Sequence, residues 1–164
     1  DAQLTFLVAN SFSKNFSYYN ERCGALSVVC SNADEAKHVN GLLQAIARRL
    51  YSNQPAHGAQ VVAAVLTNPQ WRQQWEDEVA AMRNRIRSMR KAVTEHLQRA
   101  APHYDASYWL LQNGMFSYTG LTPEQVHRLR DEFGIYLLES GRVCVPGLNQ
   151  DNVGYFAQSL AQVV

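Results

Sequence analysis

The sequence is poor in the features that would place it at a glance. It has three cysteines, Cys23, Cys30 and Cys144, an odd number that fits neither a disulfide framework nor the paired Cys-x-x-Cys spacing of a zinc site. They read as reduced thiols of a cytosolic protein. No apolar run approaches the roughly 18 residues of a membrane span, and no basic stretch leads into a hydrophobic one at the start, so a soluble chain without visible targeting is expected. It opens on Asp1, not Met, as a processed or truncated chain would. Net charge is nearly absent: 15 Lys+Arg against 14 Asp+Glu leave +1, too little to draw nucleic acid. Charged residues make up 18%, below the usual share of about 25%, which points to a surface partly covered by another domain or subunit. No glycine precedes Gly24, which excludes a P-loop or dinucleotide fingerprint in the first loop, because both need glycine where backbone approaches phosphate. The five histidines, His38, His57, His96, His103 and His127, show no ligand spacing, and neither His-Glu-x-x-His nor Gly-x-Ser-x-Gly occurs. Zinc and serine-hydrolase chemistry therefore fall away.

What is present suffices for a core. With 164 residues and 46% hydrophobic content, the chain is one ordinary domain or two small ones and is not disordered. Thr5–Ala9 and Ala25–Cys30 are short apolar runs, the pattern of strands buried on both faces of a sheet. Asn32 followed by Asp34 and Glu35 suits a helix start, after which Val39, Leu42, Leu43, Ile46 and Leu50 recur at helical spacing. Gly58–Leu66 is a short apolar helix ending near Asn68. Asn68-Pro69 then reads as a cap and first-turn proline for one long helix, with Trp71, Trp75, Val79, Met82, Ile86, Met89, Val93 and Leu97 as its apolar stripe and Pro102 as its end. At about 1.5 Å per residue it is about 48 Å long, against roughly 40 Å for a ball of this chain length, so it spans bodies instead of sitting inside one. Its basic residues Arg83, Arg85, Arg87, Arg90 and Lys91 read as a solvated face. Asn113-Gly114 predicts a hairpin between Ser107–Gln112 and Met115–Thr119. Thr122-Pro123-Glu124-Gln125 has a capping-box pattern for a helix closed by Gly134; Ile135–Leu138 and Arg142–Val145 read as strands, and Gln150–Val164 as a last helix. This alternation argues an α/β fold.

The residues that carry chemistry gather in the loop after the first strand, where α/β proteins keep their sites. Lys14, as the neutral amine, can form an imine with a carbonyl, and Ser11, Ser13 and Arg22 are groups that hold a phosphate dianion. Together they describe a site for an aldehyde carrying a phosphate. Taken singly, each has an ordinary alternative as a solvated surface side chain.

The string Ser13-Lys14-Asn15-Phe16, followed by Tyr19-Asn20-Glu21-Arg22 and Gly24, closely resembles the pyridoxal-phosphate lysine motif of the class I aminotransferases, in their aspartate and aromatic amino-acid branch. The resemblance continues, in the family's order, through Tyr51-Ser52-Asn53 with Pro55-Ala56-His57-Gly58-Ala59, then Asn113-Gly114-Met115-Phe116-Ser117 and Ser140-Gly141-Arg142-Val143. It implies the C-terminal portion of a fold-type I pyridoxal-phosphate transferase: the end of the large-domain sheet over residues 1–68, then the connecting helix and small α/β domain over 69–164. It implies pyridoxal 5'-phosphate as cofactor, amino-acid and 2-oxo-acid substrates, a cytoplasmic homodimer with shared active sites, and no nucleic-acid or membrane partner. Lys14 becomes the lysine that holds the cofactor as a Schiff base and shuttles the substrate Cα proton. Ser11, Ser13 and Arg22 fall around the cofactor phosphate, and Ser52 near the partner's cofactor. Arg142 falls on the arginine that clamps the substrate α-carboxylate, Arg48 on the one that reaches a dicarboxylate's side chain in the partner's site, and Phe116 on the pocket lining. Ser17-Tyr18 and Cys23 depart from the motif, and His57 is expected to be a packing or capping residue. Members of the family are well over twice this length, so these residues alone are expected not to transaminate. Two alternatives share the chemistry in part: a pyridoxal enzyme of another reaction type, which has no use for Arg48, and a non-catalytic dimerising relic, which forms no imine.

Overall fold

The computed structural model of the chain describes residues 4–164. Two strands open it, β1 (Phe6–Ser11) and β2 (Gly24–Val29), followed by α1 (Ala33–Leu50), α2 (His57–Thr67) and the long α3 (Pro69–Ala100). A helical turn α4 (Tyr108–Leu111), strand β3 (Phe116–Tyr118), α5 (Pro123–Phe133), strand β4 (Arg142–Cys144), a 3-10 turn (Val145–Gly147) and α6 (Val153–Ala161) complete it. The chain divides into two compact units, Asp1–Glu76 and Asp77–Val164, the division falling within α3.

In the first unit β1 and β2 pair with each other, antiparallel, from Phe6 opposite Val29 to Ser11 opposite Gly24. The connection between them, Phe12 to Cys23, holds no helix that could carry a parallel crossover. Gly24 is required at the closing position, since a Cβ there would stand 2.5 Å from the Asn10 carbonyl oxygen. The expected burial on both faces does not hold among the described residues: Leu7 is 68% and Leu26 52% exposed. The apolar stripe of α1 is likewise open, with Leu42, Ile46 and Leu50 exposed and no residue of that helix buried. Helix starts follow the sequence. Asn32 Oδ1 accepts from the Glu35 N–H at 2.9 Å, and Asn68 Oδ1 accepts from the N–H groups of Gln70 and Trp71.

The core belongs to the second unit. Met89, Val93 and Leu97 of α3 pack with Trp109, Leu129, Val143, Val145, Phe156 and Leu160. Thr122 caps α5 in a reciprocal bond pair with Gln125, and Gly134 closes it in the left-handed conformation. Three expectations need correction. The hairpin around Asn113-Gly114 does not form: residues 108–111 make a helical turn that buries Trp109, and β3 pairs with β4 instead. The Gln112 side chain occupies the ladder positions a partner strand would take, donating to the Tyr118 carbonyl and accepting from its N–H, each at 3.0 Å. Ile135–Leu138 is not a strand, because the Ile135 N–H closes α5 on the Leu129 carbonyl and the Leu138 carbonyl accepts from the Gly141 N–H. Arg90 is not solvated; it is 3% exposed in the core.

The lysine loop and the candidate carboxylate site

Lys14 lies in the β1–β2 loop, near the end of β1. The Phe12 N–H to Cys23 carbonyl bond (3.1 Å) extends the strand ladder into the loop, and a helical turn follows in which Phe16 N–H donates to the Phe12 carbonyl at 3.2 Å. Two residues of the loop take left-handed backbone conformations without being glycine, Ser17 (φ 55°) and Arg22 (φ 50°). Such conformations cost about 1–3 kcal/mol each and persist where surroundings over-determine them. The surroundings here are identifiable. Phe16 stacks on Trp75 with ring centroids 4.8 Å apart, and the Trp75 indole donates to the Asn15 carbonyl at 2.8 Å. On the other side His57 Nδ1, at the start of α2, lies 3.2 Å from Glu21 Oε2.

This frame gathers the donors. Ser11 Oγ donates to Ser13 Oγ at 3.1 Å and accepts from the Ser13 N–H at 3.2 Å. Arg22 curls back so that Nη1 donates to the Tyr19 carbonyl at 2.8 Å, and Lys14 Nζ stands 4.3 Å from the centre of the Tyr19 ring. An exposed primary amine, two hydroxyls and a guanidinium therefore share one loop. That donor set fits an aldehyde bearing a phosphate: the amine matches the carbonyl, and the hydroxyls and guanidinium match the dianion.

Ser52 also stands in the left-handed region (φ 67°), just past the end of α1, and Arg48 Nη1 donates to its Oγ at 3.2 Å. The two therefore form one group. In the second unit Gly141 (φ 74°) leads into β4 where a Cβ would meet Thr119 Oγ1 at 2.7 Å. The next residue, Arg142, lays its guanidinium 4.7 Å from the centre of the Phe116 ring, across the β3–β4 pair. A planar cation held over an aromatic face can still offer N–H donors to a carboxylate.

Against protein-family models, residues 1–160 match aminotransferase class I and II. The chain belongs to this aminotransferase family. It is 52% identical over 163 residues to an aromatic-amino-acid aminotransferase of Escherichia coli, and 47% identical over 161 residues to an aspartate aminotransferase of Pseudomonas aeruginosa. These alignments take in 99% and 98% of this chain but 41% and 40% of the relatives. Among solved structures, an aromatic-amino-acid aminotransferase from Burkholderia pseudomallei, covalently bound to pyridoxal phosphate, matches with a TM-score of 0.92 and 48% identity over 99% of this chain and 41% of that one. The expected α/β class of the fold-type I aminotransferases is borne out over that span.

Two residues of this aminotransferase chain that support the surroundings of these groups, Trp75 and Arg90, carry no such signal in composition or charge. Trp75 entered as an apolar stripe residue and Arg90 as a surface charge. The spacing Ile86, Arg90, Val93, Leu97 places Arg90 on the apolar stripe itself, a signal that a charge count along the helix conceals. Burial draws its guanidinium below the usual arginine value. Its permanent charge is held by the carbonyls of Trp109 in α4, Gly114 just before β3 and Phe116 in β3.

Proposed function

We propose that the protein carrying these residues is an aspartate/aromatic-type aminotransferase that moves an amino group between an amino acid and a 2-oxo acid with pyridoxal 5'-phosphate. The observation that supports the reading is the segment from Ser11 to Arg22, in which Ser11 and Ser13 bond each other while Lys14 Nζ and the Arg22 guanidinium both approach Tyr19, one at its ring and the other at its carbonyl. Pyridoxal 5'-phosphate, when bound, supplies a carbonyl for amine capture and a ring that takes up the electron pair released at the substrate Cα. Lys14 Nζ holds the aldehyde end and, once released, accepts the Cα proton and returns it at the next position. Ser11 Oγ, Ser13 Oγ and the Arg22 guanidinium bind the phosphate. Arg142, held on Phe116, takes the α-carboxylate.

Arg48 is assigned to the side-chain carboxylate of aspartate or glutamate, in the site of a second copy of the chain, with Ser52 beside that copy's cofactor. This reading includes a homodimer with shared sites and a cytoplasmic location. Among the described residues no helix is long and apolar enough to cross a membrane. Residues 1–68 are read as part of the cofactor-binding domain and 69–164 as connecting helix and small domain. Since the chain spans about 41% of the relatives it matches, these residues alone are expected not to turn over substrate.

The test is the intact mass of the native protein with and without borohydride reduction. One reduced cofactor per chain, mapped to the peptide containing Lys14 and lost in Lys14→Ala, is expected. An adduct on another residue, or none in protein supplied with the cofactor, overturns the assignment.

A further inference from the structure

Arg90 is the most buried charged group of the described residues, and the chemistry proposed above makes no use of it. Its guanidinium is arranged as a fork. Nη1 donates to the Trp109 carbonyl (3.1 Å) and to Ser117 Oγ, while Nη2 donates to the carbonyls of Gly114 (2.8 Å) and Phe116 (3.0 Å). All four terminal N–H bonds are thereby used, and three of the four acceptors flank or belong to β3. The opposite edge of β3 pairs with β4, Tyr118 standing opposite Arg142 and Phe116 opposite Cys144, while the Met115 carbonyl accepts from the Val145 N–H at 2.9 Å. A three-residue strand with one short partner holds its register poorly by itself. Gln112 pins the Tyr118 end of β3, and Arg90 adds the constraint at the other end, fixing the carbonyl of the residue whose ring lies under Arg142.

We propose that Arg90 is a positioning residue for the substrate carboxylate: its buried fork locks β3 to α3 and so sets the Phe116–Arg142 pair at the angle that receives the anion. This rests on the aminotransferase reading of Arg142. Lysine cannot substitute, because a single ammonium cannot serve four acceptors laid out on two nitrogens. Loss of the constraint should weaken carboxylate binding through Arg142 and through no other route.

The experiment uses the cofactor-loaded protein and 3-phenylpropionate, whose single carboxylate reports on Arg142 without involving Arg48. Its Kd is measured by calorimetry in the parent, Arg90→Lys, Ser117→Ala, Arg142→Ala and each pairing with Arg142→Ala. Arg90→Lys should raise Kd about fivefold and Ser117→Ala about twofold, with both effects vanishing once Arg142 is gone. In turnover, KM should rise more than kcat falls. Lowered melting temperatures with unchanged Kd, or Kd changes that persist without Arg142, would mean a purely structural role and overturn the proposal. If Arg90→Lys does not fold, Ser117→Ala and its pairing decide by the same criterion. Should Arg142→Ala itself leave Kd unchanged, the carboxylate assignment fails and the proposal with it. A weakened Arg142→Ala beside unaffected Arg90→Lys and Ser117→Ala sinks the role of Arg90 alone.

Discussion

Arginine is used in three physically different ways in this chain. Arg142 lies over an aromatic ring, Arg48 is tied to a hydroxyl one turn away, and Arg90 is buried among carbonyls. Only the first two keep a donor edge available for an anion. Of the neighbours Arg48 and Arg49, Arg48 is the one joined to Ser52, which supports its assignment to the substrate side chain. Arg48→Leu should cost dicarboxylate turnover about 2 kcal/mol or more in kcat/KM, roughly thirtyfold, since it leaves the distal carboxylate without its charged partner. Aromatic substrates should be spared. Steady-state kinetics with aspartate and phenylalanine check this, and an equal loss for both would remove Arg48 from substrate recognition.

Among the elements, α1 shows how local chemistry can be settled while packing is not. Asn32 caps the helix, and Glu35 reaches back to accept from both the hydroxyl and the N–H of Ser31. Those bonds, the hydroxyl's first, hold the Glu35 carboxyl below its ordinary value. A carboxylate with a depressed value stabilises the folded state above the unfolded carboxylate range and loses that contribution as pH falls through the folded value. Glu35→Gln should therefore reduce the loss of α1 helicity on acidification below about pH 4.3. Circular dichroism against pH measures it, and identical acid limbs for parent and variant would count against the bond. By contrast, β3 was legible as a strand but its partner was not: Asn113-Gly114 does turn the chain at a glycine with φ 82°. Gln112, however, fills the ladder position locally and sends β3 to β4, from Tyr118 opposite Arg142 to Phe116 opposite Cys144.

For the whole molecule, the uneven distribution of buried surface is decisive. Val62 is the one buried hydrophobic side chain of the first unit among the described residues, whereas sixteen buried residues form the cluster of the second. Local stability follows buried apolar area. Amide exchange on the 164-residue chain by itself should leave β1, β2 and α1 fast and the segments around Val93, Leu97 and Leu160 slow. Protection of β1 and β2 equal to that of the second unit would contradict this ledger of burial.

The chain by itself determined where α1, α3 and α5 start and the membership of the lysine loop. Caps such as Asn32, Asn68 and Thr122, and the run from Ser11 to Arg22, act between residues a few positions apart, so their consequences are written in local order. Tertiary structure decided which partner each strand takes, that Arg90 lies inside, and that Phe116 lies under Arg142. Those outcomes turn on competition among distant groups for the same donors, acceptors and buried space, and no stretch of sequence holds both sides of that competition.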